Sequence, residues 1–216
     1  MPQLPPRGPA PAPDALFDVT RGELVAVFGE GGVATVPATA LPPEAAETEG
    51  ARLLRDVGVP TGAVTLYRPR EDSGRLPLVL DSVHLEDVED VPEGAGGWPV
   101  IGRLLDAPLA LDPASGAVYA FDRDEETARR LHTDISSLVH VAARFRRLLE
   151  EFTFGGDEES GLALLEREVE RIRRETGAVD PLPFQDDETP WSVVGEEIAM
   201  GQRFTARSPG GRALYG

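Results

Sequence analysis

Cysteine is absent from this chain of 216 residues. That removes a disulfide framework, a thiolate nucleophile and any zinc site built on sulfur, and it fits a reducing cytoplasm. Lysine is absent as well: all 21 basic residues are arginine, against 38 acidic ones, for a formal charge of −17. A surplus of that sign repels phosphate backbones, so nucleic-acid binding is not expected, whereas a basic protein partner is allowed. Arginine without lysine, beside abundant alanine, proline and glycine, reads as the codon usage of a GC-rich genome and not as an arginine-specific chemistry. No run approaches the roughly 20 apolar residues of a membrane span, and MPQLPPRGPAPAP at the N-terminus lacks the apolar centre of a signal peptide. The expectation is a soluble, cytoplasmic protein without membrane contact.

A chain of this length suits one large domain or two small ones, and a single domain of this size is able to bury roughly 70% of its unfolded surface. Six prolines among residues 1–13 predict a disordered arm, and TARSPGGRALYG, short and glycine-rich, predicts a frayed tail over 204–216. The folded domain is therefore placed at residues 14–203. Within it, LVAVF (Leu24–Phe28) and VATV (Val33–Val36) flank GEGG and read as a hairpin. PPEAAETEGARLLRDVG reads as a helix entered at Pro42 and Pro43 and stopped at Gly58. AVTLYR, LPLVLD, WPVIGRLLD, PLALD and AVYAFD read as strands, the last two joined by a DPASG turn.

Toward the C-terminus the period changes. Leu138, Val141, Phe145, Leu148 and Phe152 form a helical stripe with Ser136 or Ser137 as its cap. Leu162, Leu165, Val169 and Ile172 repeat that spacing, and Thr189 with Pro190 opens a third helix carrying Trp191, Val194 and Ile198 and ending at Gly201. Strands first and helices last give an α+β domain, a mixed or antiparallel sheet with flanking helices. Phe145, Trp98 and Trp191 are expected in the core.

The catalytic signatures are incomplete. His84-Leu85-Glu86 matches half of a zinc-deaminase motif whose other half needs cysteines that are missing. Ser73, Ser115 and Ser208 lie in turns or the tail, with no G-x-S-x-G elbow. GEGG lacks the lysine and the following helix of a phosphate loop. No EF-hand spacing accompanies the carboxylates. No catalytic residue, cofactor or metal is expected.

LLRDVGVP (Leu53–Pro60), WPVIGRLLDAPLALDPASGAVYAFD, ISSLVHVAARFRRLLEEF and a closing WSVVGEEIAMG follow in an order that resembles the fourth family of SUKH immunity proteins. The resemblance covers Glu44 to Gln202 and leaves LVAVF and VATV outside. It implies a non-enzymatic intracellular protein that binds and neutralises a cognate polymorphic toxin, commonly a nuclease or a nucleic-acid deaminase. On this reading Asp112 and Gly116 form the turn between paired strands. Alternatives are a regulatory protein-interaction scaffold, and a hydrolase with an unmarked site. Loops on a rigid scaffold vary without disturbing the core, so Glu86, Asp87, Glu89, Asp90 and Glu93 are the candidate contacts with a basic toxin. Asp157–Glu159 and Asp186–Glu188 are secondary acidic patches.

Overall fold

The computed structural model describes residues 15–61, 74–122, 125–155 and 157–215. The proline-rich arm, the AVTLYR segment and Ser73 lie outside them. Among the described residues there are seven helices and two antiparallel sheets. The arrangement is a single-domain α+β fold.

The first helix, α1 (Arg21–Phe28), replaces the expected strand LVAVF. Its start is a capping box: Thr20 Oγ1 accepts the Glu23 N–H at 3.3 Å, and Glu23 returns a carboxylate to the Thr20 N–H at 3.0 Å. The hairpin expectation fails here because two orphan amides are satisfied before the apolar run begins, which commits LVAVF to a helix that buries Leu24. VATV supplies only the two-residue β1 (Val33–Ala34), which pairs with β2 (Val59–Pro60). The helix expected over 42–58 forms in two pieces, α2 (Pro43–Ala46) and α3 (Glu49–Asp56). Thr48 separates them and caps the second by accepting the Ala51 N–H at 3.2 Å. Gly58 ends it at φ +88°, where a Cβ would lie 2.6 Å from the Ala34 carbonyl oxygen.

LPLVLD does not form a strand. A single bridge joins Leu78 to Pro99, and Val79–Asp81 then winds into a 3-10 turn held by Asp81, whose carboxylate accepts the Leu78 N–H at 2.9 Å. The main sheet runs β3 (Val100–Leu104), β4 (Ala107–Leu111), β5 (Val118–Asp122) and β6 (Thr127–His132), each strand antiparallel to the next. Pro108 is tolerated inside β4 because that strand pairs with β5 only from Leu109 to Leu111, so the missing N–H falls where no partner follows. The DPASG turn forms as expected. Asp112 Oδ1 accepts the Ala114 N–H at 2.9 Å, and Gly116 adopts φ +76°.

Strand β5 shows the alternation that builds two cores. Val118 and Ala120 join the large cluster under the helices, while Tyr119 and Phe121 face a smaller one made by Val79, Val83, Ala95, Trp98, Val100, Ala110 and Ala128. The helical side is built from α4 (Ile135–Glu151), α5 (Glu158–Gly177) and α6 (Pro190–Ala199). Leu138, Val141, Phe145, Leu165, Val169, Ile172, Trp191, Val194 and Ile198 are buried, as their spacing predicts; Leu148 and Leu162 are half-buried. The cap of α4 is neither serine: Asp134 accepts the Ser137 N–H at 2.9 Å, leaving both serines buried in the first turn. Thr189 caps α6, accepting the Ser192 N–H at 3.1 Å.

The tail expected to fray contains α7 (Pro209–Tyr215), which packs beside α4. Its glycines mark close contact: a Cβ on Gly211 would sit 1.8 Å from the Thr205 carbonyl oxygen, and one on Gly210 would sit 2.6 Å from the Phe204 ring. Phe204 in turn packs on Phe154 with ring centroids 5.6 Å apart. Among the described residues no helix is long and apolar enough to cross a membrane.

Candidate functional site

The acidic loop begins as LEDVEDV, with apolar residues every third position. Leu85, Val88 and Val91 turn inward, half-buried against the smaller core, and this leaves Glu86, Asp87, Glu89 and Asp90 exposed. Glu93, two residues on, is exposed too. Glu86 and Asp87 ride on a 3-10 turn (Leu85–Asp87), and Asp90 takes the left-handed conformation at φ 56°, which a short polar side chain tolerates. Main-chain bonds then fix the loop to the sheet. The Glu89 N–H donates to the Glu126 carbonyl at 2.6 Å, and the Ala128 N–H donates to the Glu89 carbonyl at 3.0 Å. The loop therefore lies along one end of β6 and covers that edge of the sheet.

Two further acidic segments meet the same strand. The β5–β6 turn supplies Glu125 and Glu126, and Arg129 on β6 pairs with Asp186 at 2.8 Å, Glu125 at 3.5 Å and Glu188 at 3.7 Å. The Asp186–Glu188 patch is thus brought to β6 and is partly neutralised there. Asp157 is occupied differently: it caps α5, accepting the Ser160 N–H and O–H at 2.9 Å each, and these bonds lower its pKa. Beneath the loop, Ser82, Val83, His84, Asp87, Val88 and Glu126 line a cavity of about 240 Å3. His84 is exposed, and among the described residues no three histidine, aspartate or glutamate side chains converge to hold a metal.

The serines singled out from sequence are structural where they are described. Ser115 donates to Asp112 within the turn, and Ser208 donates to the Thr205 carbonyl at 2.9 Å while accepting the Gly211 N–H at 3.1 Å. A different serine, histidine and aspartate do come together: Ser137, His132 and Asp180, all buried. The Trp191 Nε1–H donates to His132 Nε2 at 2.7 Å, which assigns the ring proton to Nδ1, 2.9 Å from Ser137 Oγ. Ser137 also lies close enough to Asp180 to favour its charged form. Thr133 adds its N–H and O–H to that carboxylate at 2.9 and 3.0 Å. Burial pushes His132 down to about 3, against the attraction of Asp180. For Asp180, burial pushes upward, but Ser137, the bonds from Thr133 and the nearby imidazole outweigh it and hold the carboxyl below its usual range.

That polarity opposes nucleophilic catalysis. In an acyl-transfer triad the histidine accepts the serine proton and the acid orients the histidine. Here the imidazole donates to the serine, its other nitrogen is capped by an indole, and no surface opens onto the hydroxyl. The three residues stand in β6, α4 and the α5–α6 connection. No local motif in the sequence marks them as a set.

No curated protein and no solved structure matches the chain. The family model described as SUKH-4 immunity protein matches residues 19–197, from just before the capping box of α1 to within α6. It takes in the helix and short strand that the quoted motifs leave outside. With most of its length matched, the chain belongs to the SUKH-4 immunity protein family.

Proposed function

We propose that this immunity protein acts in the cytoplasm without catalysis, binding a basic cognate toxin through the carboxylates Glu86, Asp87, Glu89, Asp90 and Glu93. The observation that carries the reading is the construction of the loop: its apolar residues and main chain are fastened to the sheet while its charges point outward. A surface fixed in this way loses little conformational freedom on binding. The formal charge of −17 adds a long-range field that speeds encounter with a positive surface. Nucleases and nucleic-acid deaminases present basic substrate clefts, and an acidic protein seated there blocks the substrate.

The test uses the cognate toxin domain, with association followed between about 50 and 500 mM salt, over which the Debye length shrinks roughly threefold. The double variant Asp87→Arg, Glu89→Arg is expected to slow association at low salt and to converge with the parent at high salt. An association rate unchanged by the variant at every salt concentration rejects this loop as the contact. Loss of all toxin protection by the unaltered protein rejects the pairing itself.

A further inference from the structure

The proposed function leaves the buried His132 cluster unused. His132 ends β6, Ser137 lies in the first turn of α4, Asp180 stands in the α5–α6 connection and Trp191 opens α6, so one imidazole gathers four parts of the fold. Both ring nitrogens are engaged, and the contact with α6 requires Nε2 to be bare, because an indole N–H can only donate. We propose that His132 is a proton-operated latch, which holds α6 and the Asp180–Gln185 connection against the sheet and releases them when Nε2 is protonated.

A proton on Nε2 would set one N–H against another at 2.7 Å and leave a cation inside the core. The charged group acting on the ring is Asp180, which favours the cation. That carboxylate already takes two bonds from Thr133 and one from the Leu182 N–H, so it is poorly placed to turn toward a new donor. Ser137 and Trp191, the other direct partners, are neutral. On the far side of α6, Arg173 donates to the Ser192 carbonyl at 2.9 Å and faces Phe184. α6 is the shortest of the three helices on this face, with 10 residues against 17 and 20, and the indole bond fastens its first turn to β6.

In the released state the imidazole meets water and titrates near its ordinary 6.5, whereas in the latched state it titrates at about 3. Release therefore takes up a proton anywhere between those values. The released fraction rises about tenfold for each pH unit lowered within that window. His140 stacks on Phe17, and the charged groups acting on it are Arg144, Glu175 and Glu23, none of them on α6.

Hydrogen exchange on the full chain tests the latch, read by NMR from pH 7 to pH 4.5 and corrected for intrinsic exchange. The Trp191 indole N–H and the amides of α6 are expected to lose protection about tenfold per unit below pH 6, ahead of the amides of β4. His132→Gln, which offers an acceptor without a titration, is expected to abolish the slope, and His140→Gln to leave it. Equal slopes in α6 and β4, or a slope that survives His132→Gln, overturns the proposal. Should His132→Gln fail to fold, the His132 ring nitrogen shifts in the unaltered protein decide. Nε2 must become protonated as Trp191 loses protection, and a ring that stays neutral through that loss overturns the latch equally.

Discussion

The two faces of the main sheet are covered in different ways. Under the helices, Leu109, Leu111, Val118, Ala120 and Leu131 meet the stripes of α4, α5 and α6, with Phe145 stacked on Trp191 at 5.8 Å. On the opposite face, Ala110, Phe121 and Ala128 meet Val79, Val83 and Trp98, carried on 3-10 turns and single bridges, with Trp98 tilted against Tyr119 at 4.9 Å. Helical repetition satisfies the main chain internally and leaves the side chains free to pack. The irregular cover must find a partner for each amide singly, as Glu89 does on β6. The helical face is the bulk of the core; the irregular face is a thin apolar layer whose outer side carries charge.

Truncating one tryptophan on each face tests that contrast. Trp191→Ala is expected to cost toward the upper end of about 3–5 kcal/mol, since it opens a cavity beside Phe145 and also strips His132 Nε2 of its donor. Trp98→Ala, in the thinner cluster, is expected at the lower end, about 3 kcal/mol. Chemical denaturation of both variants measures the difference. Equal losses would mean that the irregular cover is packed as deeply as the helices.

Much of the helical face was legible in the sequence because a 3.6-residue period survives any change of neighbour. Leu138, Val141 and Phe145 on α4, and Leu165, Val169 and Ile172 on α5, lie where their spacing puts them. Strands β3, β4 and β5 were legible as apolar runs parted by a turn. Strand β6, TARRLH, was not: two arginines hide the alternation that buries Ala128. LVAVF misled because its composition suits a strand, while the deciding signal, Thr20 and Glu23, stands at its entry. SPGGRALYG misled because its glycines serve contact and not looseness. The acidic residues of the candidate surface were evident from charge density, and the LEDVEDV period that anchors them was also in view. The Ser137–His132–Asp180 grouping was not readable, since its members are brought together only by the packing of helix on sheet.

Acid should expose a second difference, because histidines that resist protonation lie on the helical side. His140 stacks on Phe17 at 4.1 Å, and its pKa is lowered to about 4, by burial first and then by Arg144, with Glu175 and Glu23 opposing. The unfolded chain protonates this histidine near 6.5 while the folded chain resists until about 4. The proton then favours unfolding, so stability falls as pH drops through that window, and His132 adds the same sign. Carboxylates with ordinary pKa values near 4 titrate mostly below it. The midpoint denaturant concentration is expected to be lower at pH 5 than at pH 7.5, and His140→Gln is expected to shrink the gap. A midpoint that rises on acidification would mean that relief of negative charge repulsion dominates.

The smallest effect on stability belongs to the outer side of the irregular face. Asp87→Arg with Glu89→Arg should leave the melting temperature nearly unchanged, because both side chains are exposed and the fastening of the loop is main-chain and apolar. Each reversal adds two units, so the pair moves the formal charge from −17 to −13 and relieves some self-repulsion. A slight rise in melting temperature is therefore expected at low salt, shrinking as salt is added. Val88→Ala is the matched control, since it removes apolar contact beneath the same charges. It should lower the melting temperature at every salt concentration, by an amount that corresponds to about 1 kcal/mol. If the double reversal destabilises as much as Val88→Ala, the carboxylates themselves hold the loop in place. Their value as a freely variable contact surface would then be lost.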